Sequence, residues 1–236
     1  MRGNRGQFKN ERNRSSILEW KICLPPWKLV YSLLFMALLS LVRAVVYVEE
    51  IGPAIEEPMA LLAAVFCADT YLMEVQSGRA EIFALYSRKK KTAVLFRRLA
   101  VQNLYLLALF LAGYWLFFWQ RPFFLTRDCT AAQLYGMYAS AAVITIPFWS
   151  ILSVAVSILF WNMWAGIGAA FLLWLSLVSK GAEELLGEWG LFSYASRSLG
   201  RPSDLSWLWG KGLTLLLAFV AAALILWILK KTEGRK

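Results

Sequence analysis

Apolar and polar residues fall in long blocks along this chain, without the short alternation of a soluble amphipathic fold. Apolar runs occupy residues 29–48, 58–73, 100–119, 138–160, 162–179 and 208–229, separated by polar or charged stretches. About 20 apolar residues coiled as α-helix match the ~30 Å hydrocarbon core of a bilayer. The pattern predicts an all-α, polytopic membrane protein with six transmembrane helices. Residues 138–179 carry no charge. As one helix they would extend about 63 Å, roughly twice the hydrocarbon thickness, so the chain must turn back. The polar and aromatic mixture Trp161-Asn162-Met163-Trp164 marks the turn. Pro147 is placed to kink the fourth helix, and Gly166 and Gly168 to let the fifth pack closely.

The polar blocks define the rest. Residues 1–28 form a basic tail in which Ile17, Leu18, Trp20 and Ile22, beside Lys21, read as a short interfacial helix ending at Pro25-Pro26, or equally as a disordered tail. The run at 29–48 is too long for a signal-peptide core and no small-residue cleavage site follows, so it is expected to be retained. Residues 181–207 mix Glu183, Glu184 and Glu188 with Leu185, Leu186, Leu191 and Phe192, an outer amphipathic or re-entrant segment before the sixth helix. Residues 230–236 form a second short tail. The six-helix domain is thus expected over 29–229.

Charge then sets the orientation. Of 25 Lys and Arg, 18 lie in the two tails and in the loop 74–99, and 5 in the remaining loops. Short translocated loops are poor in Lys and Arg, so both termini and the 74–99 loop are expected in the cytoplasm of a bacterial plasma membrane. With 59% hydrophobic residues and a mean hydropathy of +0.54, the composition excludes a soluble domain of this size. The net charge of +10 sits in loops and tails, where contact with anionic membrane lipids accounts for it and nucleic acid is not expected as a partner.

Catalytic chemistry is not expected. There is no histidine, no phosphate-binding glycine-rich loop, and three cysteines too scattered for a disulfide or metal framework. No cofactor or metal site is expected. The pairs Glu49-Glu50, Glu56-Glu57 and Glu183-Glu184 fall in predicted outer loops and read as solvated faces. Three charged residues lie within apolar runs, Arg43, Asp69 and Lys211, and the first two are candidate polar sites. Arg43 is a functional candidate by its position, or snorkels to the outer surface near Glu49 and Glu50. Asp69, near the inner end of the second helix, is a proton or substrate group, or is simply hydrated.

The 74–99 loop carries the most specific pattern: Glu74-x-x-x-Gly78-x-x-Glu81, then Ser87-Arg88 and Arg97-Arg98-Leu99. Gly78 permits a tight turn, Glu81 complements a helix N-terminus, and Ile82, Leu85 and Tyr86 share one helical face. With six helices, cytoplasmic ends and a polar segment before the last helix, this resembles the permease subunits of the ABC exporter class related to polysaccharide and drug exporters. In that class an acid–glycine–acid pattern leads into a cytoplasmic coupling helix between helices two and three. The resemblance covers nearly the whole chain as architecture and about residues 74–99 as residues. Arg79, where the class often has a small polar residue, and the run Arg88 to Lys91 depart from it.

The resemblance implies a permease subunit of an ATP-driven exporter, coupled through Glu74, Gly78, Arg79, Glu81, Ile82, Leu85, Arg88 and Arg97 to separate ABC ATPase subunits that bind ATP and Mg. It implies a second permease copy or homologue as partner, and an amphiphilic or hydrophobic cargo such as a peptide antibiotic, drug or lipid-linked molecule. The alternative is a non-transporting immunity or assembly factor whose basic loop docks another soluble protein.

Overall fold

The computed structural model describes residues 22–73, 88–125, 129–201 and 203–233. Among these the regular structure is helical, with one isolated bridge between Tyr47 and Phe123. The helices are α1 (Pro26–Val42), α2 (Ile51–Cys67, entered through a 3-10 turn at Val48–Glu50), α3 (Arg88–Phe118), α4 (Ala131–Phe160), α5 (Met163–Val178), the short α6 (Lys180–Leu186, followed by a 3-10 turn at Gly187–Trp189) and α7 (Trp207–Glu233).

Local chemistry explains where several begin and end. Pro26 opens α1, where its missing N–H has no helical partner to lose. Thr130 and Gln133 form a reciprocal cap on α4: the Gln133 N–H donates to Thr130 Oγ1, and the Thr130 N–H to Gln133 Oε1. Trp161 closes α4 in the left-handed region at φ 54°, and Asn162 then caps α5 by accepting the Trp164 N–H at 2.9 Å. The turn between the fourth and fifth apolar runs therefore lies at the Trp161-Asn162-Met163-Trp164 cluster. Ser179 caps α6 in the same way.

α1, α2, α3, α4, α5 and α7 run in alternate directions. At the end where α3 begins, called here the basic end, Gln102 of α3 donates to the Cys23 carbonyl (3.2 Å) and accepts from Thr70 just after α2 (2.7 Å). The Tyr71 and Trp161 rings meet there at 6.1 Å. At the opposite end Gln120 donates to the Ser40 carbonyl, Phe123 N–H to the Val46 carbonyl, and the Trp174 indole to the Glu57 carbonyl.

α2 is the centre of the bundle. Every residue from Ile51 to Cys67 is buried except Glu57, Pro58, Leu61 and Val65, which form one narrow strip. It packs on α4, α3 and α5, while α7 packs on α4 and reaches α2 through Lys211. The small residues Ala54, Ala60, Ala63 and Ala64 on α2 allow the neighbours to come close. α7 instead leaves Leu215, Leu216, Phe219 and Val220 exposed, an apolar surface that suits lipid.

Among the described residues, three helices are long and apolar enough to cross a membrane: Lys89–Phe118, Ala131–Phe160 and Trp207–Lys231. Met163–Val178 with Lys180–Trp189, bent by 73°, makes a fourth if read as one broken span. Pro26–Val42 is apolar but shorter. The chain is thus an all-helical protein compatible with a membrane location.

Helices and apolar runs do not coincide everywhere. α2 starts at Ile51, ahead of the run at 58–73, and Pro53 falls in its first turn, where proline is tolerated. Glu56 and Glu57 consequently lie within a helix. α3 starts at Arg88, so the basic residues 88–98 are helical and continuous with the apolar run at 100–119; lysine and arginine are good helix formers when they face outward.

Gly166 sits where a Cβ would collide with the Ser157 side chain and the Ser153 carbonyl on α4, whereas a Cβ on Gly168 would meet nothing within 4 Å. Gly166→Ala is expected to overpack the α4–α5 contact and destabilise the protein by about 1–3 kcal/mol. Gly168→Ala should leave stability unchanged or slightly raise it. Thermal unfolding in detergent, followed by size-exclusion chromatography, checks the pair.

Candidate functional site

The interior holds two lysines and their partners, each assembled from distant parts of the chain. Glu56 on α2 and Lys211 on α7 are both fully buried and form an ion pair. The Lys211 ammonium also donates to Thr145 Oγ1 of α4 (2.9 Å) and to the Leu191 carbonyl (2.8 Å). Thr145 in turn donates to Glu56 Oε1 at 3.1 Å. All three donors of the ammonium are therefore used. The second oxygen, Glu56 Oε2, has no partner among the described residues.

The segment after α6 closes this cluster over. Phe192 stacks on Trp149 of α4 at 5.6 Å between centroids, and Tyr194 meets Trp207 edge-on at 5.1 Å. Ser193 donates to the Trp207 carbonyl (2.8 Å), pinning the segment to the start of α7. A Cβ on Gly52 would strike the Tyr194 ring, so only glycine lets α2 pass beneath it. Burial pushes the Tyr194 phenol up from its ordinary range, against the pull of Arg197, whose guanidinium lies 4.2 Å from the ring centroid.

The second lysine, Lys28 at the start of α1, is 1% exposed. It pairs with Asp69 at 2.5 Å and donates to the Phe66 carbonyl at 2.7 Å, with the Phe66 ring 5.0 Å from the ammonium. Asp69 is thus the partner of a buried lysine, a contact the hydrated reading did not include. Cys23 lies alongside, and burial pushes its thiol up, with Arg98 and Lys28 pulling against it. This group ties the start of α1 and the end of α2 to α3 at the basic end.

Arg43, which ends α1, is at the opposite end. It is about half exposed, donates to the Ala54 carbonyl at 3.2 Å, and faces Glu57 at 3.9 Å. Its carboxylate neighbour is Glu57, in place of the predicted Glu49 and Glu50.

Two of the three acid pairs are corrected by these positions. Glu49 and Glu56 are fully buried, not solvated loop faces. Glu49 accepts the Leu125 N–H at 3.2 Å, and Glu50 accepts Val46 and Tyr47 N–H groups. The acids read as loop because they interrupt hydropathy; in the bundle each has a partner that sequence does not display. Glu183, Glu184 and Glu188 are exposed.

Of the coupling residues, Glu74, Gly78, Arg79, Glu81, Ile82 and Leu85 lie outside the described residues. Arg88 begins α3 and Arg97 lies about two and a half turns along it. Lys90, Ala93 and Arg97 are exposed at helical spacing, while Leu95, Arg98 and Leu99 are buried. α3 thus presents an exposed basic face at this end and buries the other.

Glu56 and Lys211 are the residues that sequence reasoning missed. The available signal was Lys211 itself, a lysine inside an apolar run, which calls for a buried partner. Spacing could not identify that partner, 155 residues away.

Removing one member of a buried pair leaves an uncompensated charge and typically costs about 3–5 kcal/mol, whereas replacing both with apolar residues is often near neutral. Lys211→Met and Glu56→Met are each expected to be strongly destabilised, and the double variant to recover most of the loss. A double-mutant cycle on unfolding temperature in detergent measures the coupling.

No family model matches the chain, and no match was found among curated proteins or among solved structures.

Proposed function

We propose that this chain is the membrane-spanning permease subunit of an ATP-driven exporter. Its six main helices, α1 to α5 and α7, would each cross the plasma membrane, with both termini and the basic end in the cytoplasm. Separate ATPase subunits would bind at that end, and a second permease copy or homologue would complete the transport path. The cargo class favoured by the apolar interior and surface is amphiphilic or hydrophobic. ATP hydrolysis would take place on the partner chain, leaving this one without catalytic residues of its own.

One observation carries the reading. α3 runs unbroken from Arg88 to Phe118, so its exposed face at Lys90, Ala93 and Arg97, which carries two basic side chains, belongs to the same rod as a membrane-length helix. A partner pressing on that face moves the whole rod. The Thr70–Gln102–Cys23 hydrogen bonds and the Lys28–Asp69 pair pass the displacement to α2 and α1. Alternating access requires such a discrete element that a ligand on one side can bias. The acid–glycine–acid pattern at Glu74, Gly78 and Glu81 precedes this rod in the chain and supports the same reading.

Purification from native membranes in mild detergent is expected to bring down a stoichiometric ATPase with a phosphate-binding loop. Its reproducible absence from an otherwise intact complex would favour the docking-factor alternative. Gly78→Trp and Glu81→Lys are expected to abolish export while membrane insertion continues. For the orientation, a cysteine at Glu184→Cys should react with an impermeant maleimide in intact cells. One at Lys90→Cys should react only after permeabilisation.

A further inference from the structure

A cleft of about 420 Å³ opens at the end of the bundle opposite the basic end, lined by Arg43, Glu50, Pro53, Glu183 and Arg197 among others. A second recess of about 330 Å³ adjoins it, sharing Glu183 and Arg197. The first alone has the size of a small-molecule site. Its charges are mixed and not equally available. Glu50 is occupied by two backbone N–H groups, and Arg197 is held by the Glu49 carbonyl, Met137 and Tyr194. Arg43 is different: its contacts with Ala54 and Glu57 use one terminal nitrogen, and the rest of the guanidinium has no partner among the described residues. The Glu183 carboxylate is exposed and likewise makes no hydrogen bond among the described residues.

Exposed apolar side chains adjoin both charges along the chain. Leu41 and Val42, immediately before Arg43, are 80% and 82% exposed, and Leu185, two residues after Glu183, is 88% exposed. One available cation and one available anion thus share a cleft, and each has exposed apolar residues within two positions of it in the chain. We propose that this cleft binds a zwitterionic amphiphile. Its anionic group sits on Arg43, its ammonium on Glu183, and its acyl or alkyl chains lie along Leu41, Val42 and Leu185. A planar guanidinium suits a phosphate or carboxylate oxygen pair, and charge-assisted hydrogen bonds of this kind are the strong ones. The inference extends the permease reading by naming a cargo class, yet binding needs no ATPase, so either can fail without the other.

The test uses the full chain purified in nonionic detergent, titrated with dihexanoyl phosphatidylethanolamine and followed by native mass spectrometry. One saturable site is expected. Dihexanoyl phosphatidylglycerol, with the same chains and no ammonium, should bind about tenfold or more weakly, as should phosphoethanolamine, which lacks the chains. Arg43→Gln and Glu183→Gln should each weaken the phosphatidylethanolamine complex by about tenfold, and Glu184→Gln should not change it. All variants are at exposed positions, and monodisperse elution with unchanged unfolding temperature verifies their fold. Equal binding of the two lipids, or full affinity in both Arg43→Gln and Glu183→Gln, overturns the proposal. Phosphoethanolamine binding as tightly as the lipid overturns its amphiphile part and assigns the cleft to a soluble zwitterion.

Discussion

A lysine and a glutamate buried side by side in an apolar bundle constrain everything around them. Neither Glu56 nor Lys211 can reach water, so each depends on the other and on groups delivered by other elements. α4 must bring Thr145, and the segment after α6 must bring the Leu191 carbonyl. α2, α4, α7 and that segment are therefore fixed together in one arrangement. A helix rotated by one residue would bury a charge without a partner, a penalty of about 3–5 kcal/mol, as large as deleting a whole apolar core side chain. The pair is placed where three helices must agree.

The two ends of the bundle are built differently. At the basic end a lysine, an aspartate, a threonine and a glutamine stitch three helices together with short contacts, most of them sheltered. At the opposite end the corresponding link between α1 and α2 is a half-exposed arginine 3.9 Å from a carboxylate. Exposed pairs of that kind contribute little to stability. One end is cross-linked by sheltered side-chain contacts, and the other holds a cleft between its elements.

Much of the helical architecture was legible in the sequence because hydropathy speaks in blocks. The turn at Trp161 to Trp164 could be read from an uncharged stretch too long to be one helix, and Gly166 was read correctly as a close-packing position. Gly168, assigned the same role, faces open space; one glycine per turn was enough. The buried charges were not legible for a physical reason. Hydropathy scores a residue alone, whereas the tolerance of Glu56 in the interior comes from Lys211, Thr145 and the Leu191 carbonyl, which only folding assembles. The same blindness put Lys28 in a polar tail, when its ammonium belongs with Asp69 in the interior. The pattern at Glu74 to Leu85 lies outside the described residues, so its part in the site still rests on sequence.

The length of α3 has a mechanical consequence. Its 31 residues extend about 46 Å, some 16 Å more than a typical hydrocarbon core. In a bilayer the surplus would fall at the Arg88 end, whose lysines and arginines resist the hydrocarbon, with the exposed Trp115 and Trp119 suited to the other interface. On the proposed permease reading, α3 would be a lever arm with its fulcrum in the membrane. Bilayer thickness would then set how much of the arm projects and how far its tip travels for a given tilt. A thicker membrane would shorten that arm and a thinner one would lengthen it, so lipid composition would act as a gear ratio between the proposed ATPase partner and the helices packed around Glu56.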